Sequence, residues 1–131
     1  MSDLQIFVFA GNLGKDPEMR YTPSGQAVCA FSLASNRQWK NDKDETCKVT
    51  TWLRVSTWGK LAEICAEYLQ KGSKVTIEGR LEADKETGGP RIWTDQAGNP
   101  RTSFEVTATS VHFLSPKTER AEPAAQEEAP F

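Results

Sequence analysis

The chain has 131 residues and a mass of 14.6 kDa, enough for one domain that buries a core without metals or disulfides. With 37% hydrophobic and 26% charged residues, and no apolar run near the ~20 residues that span a bilayer, a soluble, non-membrane protein is expected. The net charge of −2 belongs to the C-terminal end, where Lys117 and Arg120 are outnumbered by Glu119, Glu122, Glu127 and Glu128; the balanced body can still carry separated charged faces.

In chain order, the pattern begins with an apolar strand over residues 5–10. It carries Ile6 and Val8 on one face and Phe7 and Phe9 on the other, so both faces ask to be covered. GNLGKDP supplies turn chemistry, and YTPSG at 21–25 a second turn, each rich in glycine and proline. AVCAFSLAS reads as a long strand ending near Ser35, and residues 50–57 alternate cleanly as another. Leu61, Ile64, Cys65, Tyr68 and Leu69 then share one face at the 3.6-residue period. That is a helix, with Gly72 as its expected C-terminal cap and Lys71 favourable at the negative end of its dipole. Strands at 74–81 and 104–114 complete the body. Residues 116–131 hold no aliphatic side chain larger than alanine and are expected to be a disordered acidic tail after a 1–115 domain. Three strands, a helix and two strands is the order of an all-β, five-stranded OB-fold Greek-key barrel; small SH3-like barrels share much of it.

The segment TTWLRVSTW carries the strongest functional signal. Side chains alternate across a strand, so Leu53, Val55 and Thr57 face the core while Trp52, Arg54, Ser56 and Trp58 face outward. Two exposed indoles forfeit roughly 1.5–3 kcal/mol of burial each, so something should cover them. Indoles stack on unpaired bases while arginine and lysine track phosphates, and all four tryptophans have a basic neighbour. Arg37 and Lys40 flank Trp39, Arg54 lies between Trp52 and Trp58, Lys60 follows Trp58, and Arg91 precedes Trp93 in a glycine-rich connection. Lys71 and Lys74, at the end of the helix, complete the candidate phosphate contacts. A subunit interface or half-buried packing would use the same tryptophans.

Catalysis finds little support. Asp42, Asp44 and Glu45 read as a solvated loop, and His112 as a packed strand residue with no nucleophile at a meaningful spacing. KGSK at 71–74 resembles a phosphate loop but lacks the preceding GxxxxG. Cys29, Cys47 and Cys65 are widely spaced and accompany a single histidine, which disfavours a zinc site. Cys29 and Cys65 read as core residues of a reduced, cytoplasmic protein without cofactor or metal.

GNLGKDPEMRYTPSGQAV, WGKLAEICAEYLQKGSKVTIEGRL and WTDQAGNPR strongly resemble the bacterial single-stranded DNA-binding protein (SSB) family over residues 4–114. The resemblance implies an OB fold, a homotetramer and single-stranded DNA wrapped over the outside. It also implies an acidic, hydrophobic tip that docks replication, recombination and repair proteins. Trp39, Trp52 and Trp93 match the family's base-stacking tryptophans, and Trp58 stands where the family often has phenylalanine. Three features depart from the family. ADKETGGPRI at 83–92 lengthens the connection before Trp93, the tail has no long Gly/Gln-rich linker, and the tip EEAPF has fewer acids than usual. Its Glu127, Glu128, Pro130 and Phe131 are the candidate docking residues. The expected activity is non-enzymatic, sequence-independent protection of single-stranded DNA. The alternatives are a replication-restart factor of similar fold, which would lack the acidic tip, or an OB- or SH3-like protein-interaction module.

Overall fold

The computed structural model describes residues 3–114. Its elements run β1 (Phe7–Leu13), β2 (Glu18–Tyr21), β3 (Ala27–Lys40), β4 (Thr46–Trp58), α1 (Lys60–Tyr68), β5 (Lys74–Leu81), β6 (Arg91–Thr94) and β7 (Pro100–Phe113). The long strands pair in the order β1-β5-β7-β4-β3, and β3 returns to β1 through Asn12 opposite Ala34 and Leu13 opposite Leu33. This closes a five-stranded barrel. All its pairings are antiparallel except β4 with β7. With α1 between the third and fourth barrel strands, the expected OB-type Greek key is present.

Alternation builds the core. Leu33, Leu53, Val55, Val75, Ile77 and Val106 point inward from neighbouring strands, and α1 adds Ala62, Cys65 and, just past its end, Leu69 to the same cluster. Each large side chain hidden this way contributes about 1.5–3 kcal/mol. Phe7 and Phe9 pack against this core, while Val8 on the other face of β1, and Ile6 just before the strand, remain exposed. The strands approach closely at Gly79, beside a bulge between Glu78 and Gly79, where a side chain would collide with the Thr107 carbonyl.

Several elements differ from the sequence pattern. β1 runs on through Gly11, Asn12 and Leu13, where turn residues are expected, because these residues supply the pairing that closes the barrel. The turn at 22–25 is present, with the Gly25 N–H on the Thr22 carbonyl at 2.8 Å, but β2 precedes it as a short partner of β3. α1 ends at Tyr68, capped by the Leu69 N–H on the Cys65 carbonyl, and no basic residue lies in its last turn. Gly72 is therefore not the helix cap. Its N–H instead reaches the Leu13 carbonyl at 2.9 Å, tying the turn before β5 to β1. Lys71 lies beyond the helix, its own N–H on Asp16 Oδ1 at 2.7 Å.

β3 and β4 also extend further than alternation alone indicates. Their register is continuous from Val28 opposite Trp58 to Lys40 opposite Thr46, so each polar arm is held by the other's backbone. The loop between them is built by Asn41, whose Oδ1 accepts the N–H groups of Lys43 and Glu45 at 2.9 and 3.0 Å.

All three cysteines are free, and Cys29 and Cys65 are buried. Among the described residues no helix is long and apolar enough to cross a membrane. The tail from residue 116, with Glu127, Glu128, Pro130 and Phe131, lies outside the described residues.

Candidate nucleic-acid interface

The outward row of β4 is arranged as alternation requires. Leu53, Val55 and Thr57 are buried, whereas Trp52, Arg54 and Ser56 are half-buried and Trp58 is 43% exposed. On β3 this row faces Ala34, Ser32, Ala30 and Val28, mostly small residues that leave room beside the large ones. Trp52 owes its position to Gly14. A β-carbon there would stand 2.6 Å from the indole Cζ3, so the indole lies where only a glycine leaves space.

Arg54 stands between two open clefts. One, of about 190 Å³, is lined by Lys15, Asp16, Glu18, Ser32 and Arg54 among others. The second, of about 380 Å³, is lined by Arg54, Arg91, Trp93, Thr94, Ser103 and Glu105. Trp93 therefore does not sit in an irregular connection. It belongs to β6, opposite Arg101 of β7, and the hairpin is fixed at its turn by Asp95. That carboxylate takes Arg101 Nε at 2.9 Å on one oxygen and the Ala97 and Asn99 N–H groups on the other. These bonds, the arginine's foremost, hold its pKa below the usual carboxylate range. The longer segment before β6 is organised the same way: Asp84 accepts the N–H groups of Glu86 and Thr87.

Trp39 does not join this surface. In β3 it shares parity with Leu33, whereas Trp52 pairs with Ala34. With no break in register, Trp39 and Arg37 occupy the opposite face of the β3–β4 ribbon, opposite Cys47 and Val49. Trp39 is 43% exposed, and the Arg37 guanidinium lies 4.8 Å from its ring centre, a cation–π contact. Lys40 pairs with Asp44 at 3.5 Å.

The remaining candidates are spread around the barrel. Lys60 begins α1 just after Trp58. Lys71 is linked through its backbone to Asp16, which places it near the Lys15 cleft, and Lys74 opens β5 opposite Asn12. His112 is exposed on β7, opposite Thr76. It is not packed, because the strand end lies beyond the core. The sequence pattern did not single out Gly14, Lys15 or Glu105. No local signal marks them: each is defined by a side chain from a distant strand.

Among the described residues no group of three or more histidine, cysteine, aspartate or glutamate side chains could hold a metal ion. What the surface offers is indole faces alternating with guanidinium and ammonium groups. The model of the single-strand binding protein family matches residues 4–114, nearly the whole described barrel. The chain belongs to that family. Among solved structures, it is similar to the Plasmodium falciparum SSB complex with ssDNA at a TM-score of 0.71 and 24% identity, covering 88% of this chain and 98% of that one. A deletion mutant of the single-stranded DNA-binding protein from Thermus aquaticus is also similar, with a TM-score of 0.64 and 29% identity. That match covers 84% of this chain but only 49% of the Thermus chain, so the barrel spans about half of that relative. The first of these supports the fold, and the family model supplies the membership.

Proposed function

We propose that this SSB-family barrel binds single-stranded DNA without regard to sequence, stacking bases on Trp52, Trp58, Trp93 and Trp39. The observation that carries this reading is the outward row of β4, which presents Trp52, Arg54 and Trp58 on one face, with Arg54 between two clefts that add Lys15 on one side and Arg91 and Trp93 on the other. Base stacking is worth about 1–3 kcal/mol per aromatic residue and tolerates every base. Arg37, Lys40, Arg54, Lys60, Lys71, Lys74 and Arg91 are the phosphate contacts of this proposal. Its cellular role is protection of exposed strands in replication, recombination and repair, in the cytoplasm, without enzymatic activity.

Assembly and recruitment belong to the same reading. Ile6, just before β1, and Val8 within it are 69% and 58% exposed, and burying them between copies fits the homotetramer typical of the family. The Glu127, Glu128, Pro130 and Phe131 tip is the docking element for partner proteins, its acids speeding encounter with a basic pocket. Several tails per oligomer would compensate for weak single contacts.

The test is a salt-resolved titration with poly-dT, followed by tryptophan fluorescence. Quenching on binding is expected, with log affinity falling linearly against log salt at about 0.7 per neutralised phosphate. Absence of quenching, or a salt-independent affinity, would leave the tryptophans as a protein interface. Deleting Pro130 and Phe131 should preserve poly-dT binding while abolishing capture of repair and replication proteins.

A further inference from the structure

The cleft between Arg54 and Arg91 is lined by one carboxylate, that of Glu105. Glu105 on β7 is in register with Arg54 on β4. Its Oε2 accepts the Ser103 hydroxyl at 2.7 Å and lies 3.4 Å from Arg91 Nη1. The Glu105 side chain is 20% exposed, against 57% for Arg91. The carboxylate is thus the sheltered, doubly bonded member of the pair and the arginine the exposed one. An ordinary surface ion pair loses much of its value to side-chain entropy. Here Ser103, itself buried, holds the acid in place beforehand.

We propose that Glu105 is an internal substitute for a DNA phosphate, which occupies Arg91 in the unbound protein and must give it up when a strand enters. The proposal rests on the single-stranded DNA reading and adds a mechanism that sets affinity. Two consequences follow from the charges. Exchange of one anion for another on Arg91 gains less than binding to a free guanidinium. It also releases fewer counterions, because an arginine already paired with a carboxylate holds little condensed salt anion to release. Glu105 would therefore keep binding both weaker and less salt-sensitive than the count of basic residues implies, favouring turnover of the bound strand.

The experiment compares the full chain with Glu105→Gln, using a labelled oligo-dT over a range of salt. E105Q should bind about two- to five-fold tighter at low salt, the range of an exposed pair, and its log–log salt slope should steepen by up to about 0.7 per DNA-bound copy. Arg91→Ala should cost more affinity in the E105Q background than in the wild type. Glu78→Gln, which removes an equal charge from β5, controls for net charge and should reproduce neither the slope nor the coupling to Arg91. Ser103→Ala, which keeps the charge but frees the carboxylate, should shift affinity in the same direction by less, and covers the case in which E105Q folds poorly. Weaker binding by E105Q would mean that Glu105 merely orients Arg91, and an unchanged affinity and slope would remove it from the site; either result overturns the proposal. A wild type that ignores oligo-dT would instead overturn the underlying reading, and this one with it.

Discussion

The two halves of the β3–β4 pair are one continuous ladder with two different supports. From Val28 to Ala34 and from Trp52 to Trp58, the strands belong to the barrel and bury every second side chain in its core. Beyond them, residues 36–40 and 46–50 form a ribbon whose side chains are largely exposed and whose tip is held by Asn41. Trp52 stands on the first half and Trp39 on the second. The same alternation that aims Trp52 away from the core places Trp39 on the other face. A core therefore fixes one indole, while the other depends on backbone pairing and a five-residue loop (41–45). The contrast predicts that mutations will separate folding, tight binding and arm order.

The largest effect should come from breaking the barrel itself. Gly79→Ala forces a side chain against the Thr107 carbonyl, and backbone cannot retreat as a side chain can. Overpacking of this kind costs about 1–3 kcal/mol or more, so the urea midpoint should fall markedly. An unchanged midpoint would show that the strands around Gly79 can spread without loss.

Trp52→Ala should leave the midpoint nearly unchanged and weaken poly-dT binding by about 1–3 kcal/mol, the value of one stacked base. Gly14→Ala should move in the same direction by less, because it only displaces the indole. Normal binding by both variants would remove Trp52 from the interface.

Trp39→Ala should cost less than Trp52→Ala, about 1 kcal/mol or below, since the arm must be ordered when DNA binds and Arg37 already covers one ring face. Asn41→Ala, which loosens the tip without touching an aromatic residue, should reproduce most of that loss. If Trp39→Ala proves as costly as Trp52→Ala while Asn41→Ala is silent, the arm is as rigid as the barrel.

The smallest effect within the neutral range concerns the thiols. Burial, with the neighbouring Cys29 adding to it, pushes Cys65 up to about 12 from its ordinary 9.0. The folded protein then keeps a proton that the unfolded chain releases. This contribution is full below about pH 9 and is lost as pH rises toward 12. Below that window Cys47 should react with iodoacetamide while Cys29 and Cys65 stay protected. Rapid labelling of Cys65 at neutral pH would indicate that α1 opens readily.

The outward set Trp52, Arg54 and Trp58 was legible because alternation is a local property of nine consecutive residues, TTWLRVSTW. The helix face from Leu61 to Leu69 was legible for the same reason, and the family strings extended this to the barrel as a whole. The continuation of β1 into Leu13, the β3–β4 ribbon and strand β6 were not, because polar or glycine-bearing segments become strands only when a distant partner supplies their hydrogen bonds. The face taken by Trp39 needed an unbroken register across the ribbon, which no local pattern reveals. Gly14 beneath Trp52 and Glu105 in register with Arg54 join residues far apart in the chain, and their meaning lies in distances of a few ångströms. Periodicity records which side chains leave water together; only the closed barrel determines which charges and rings then meet.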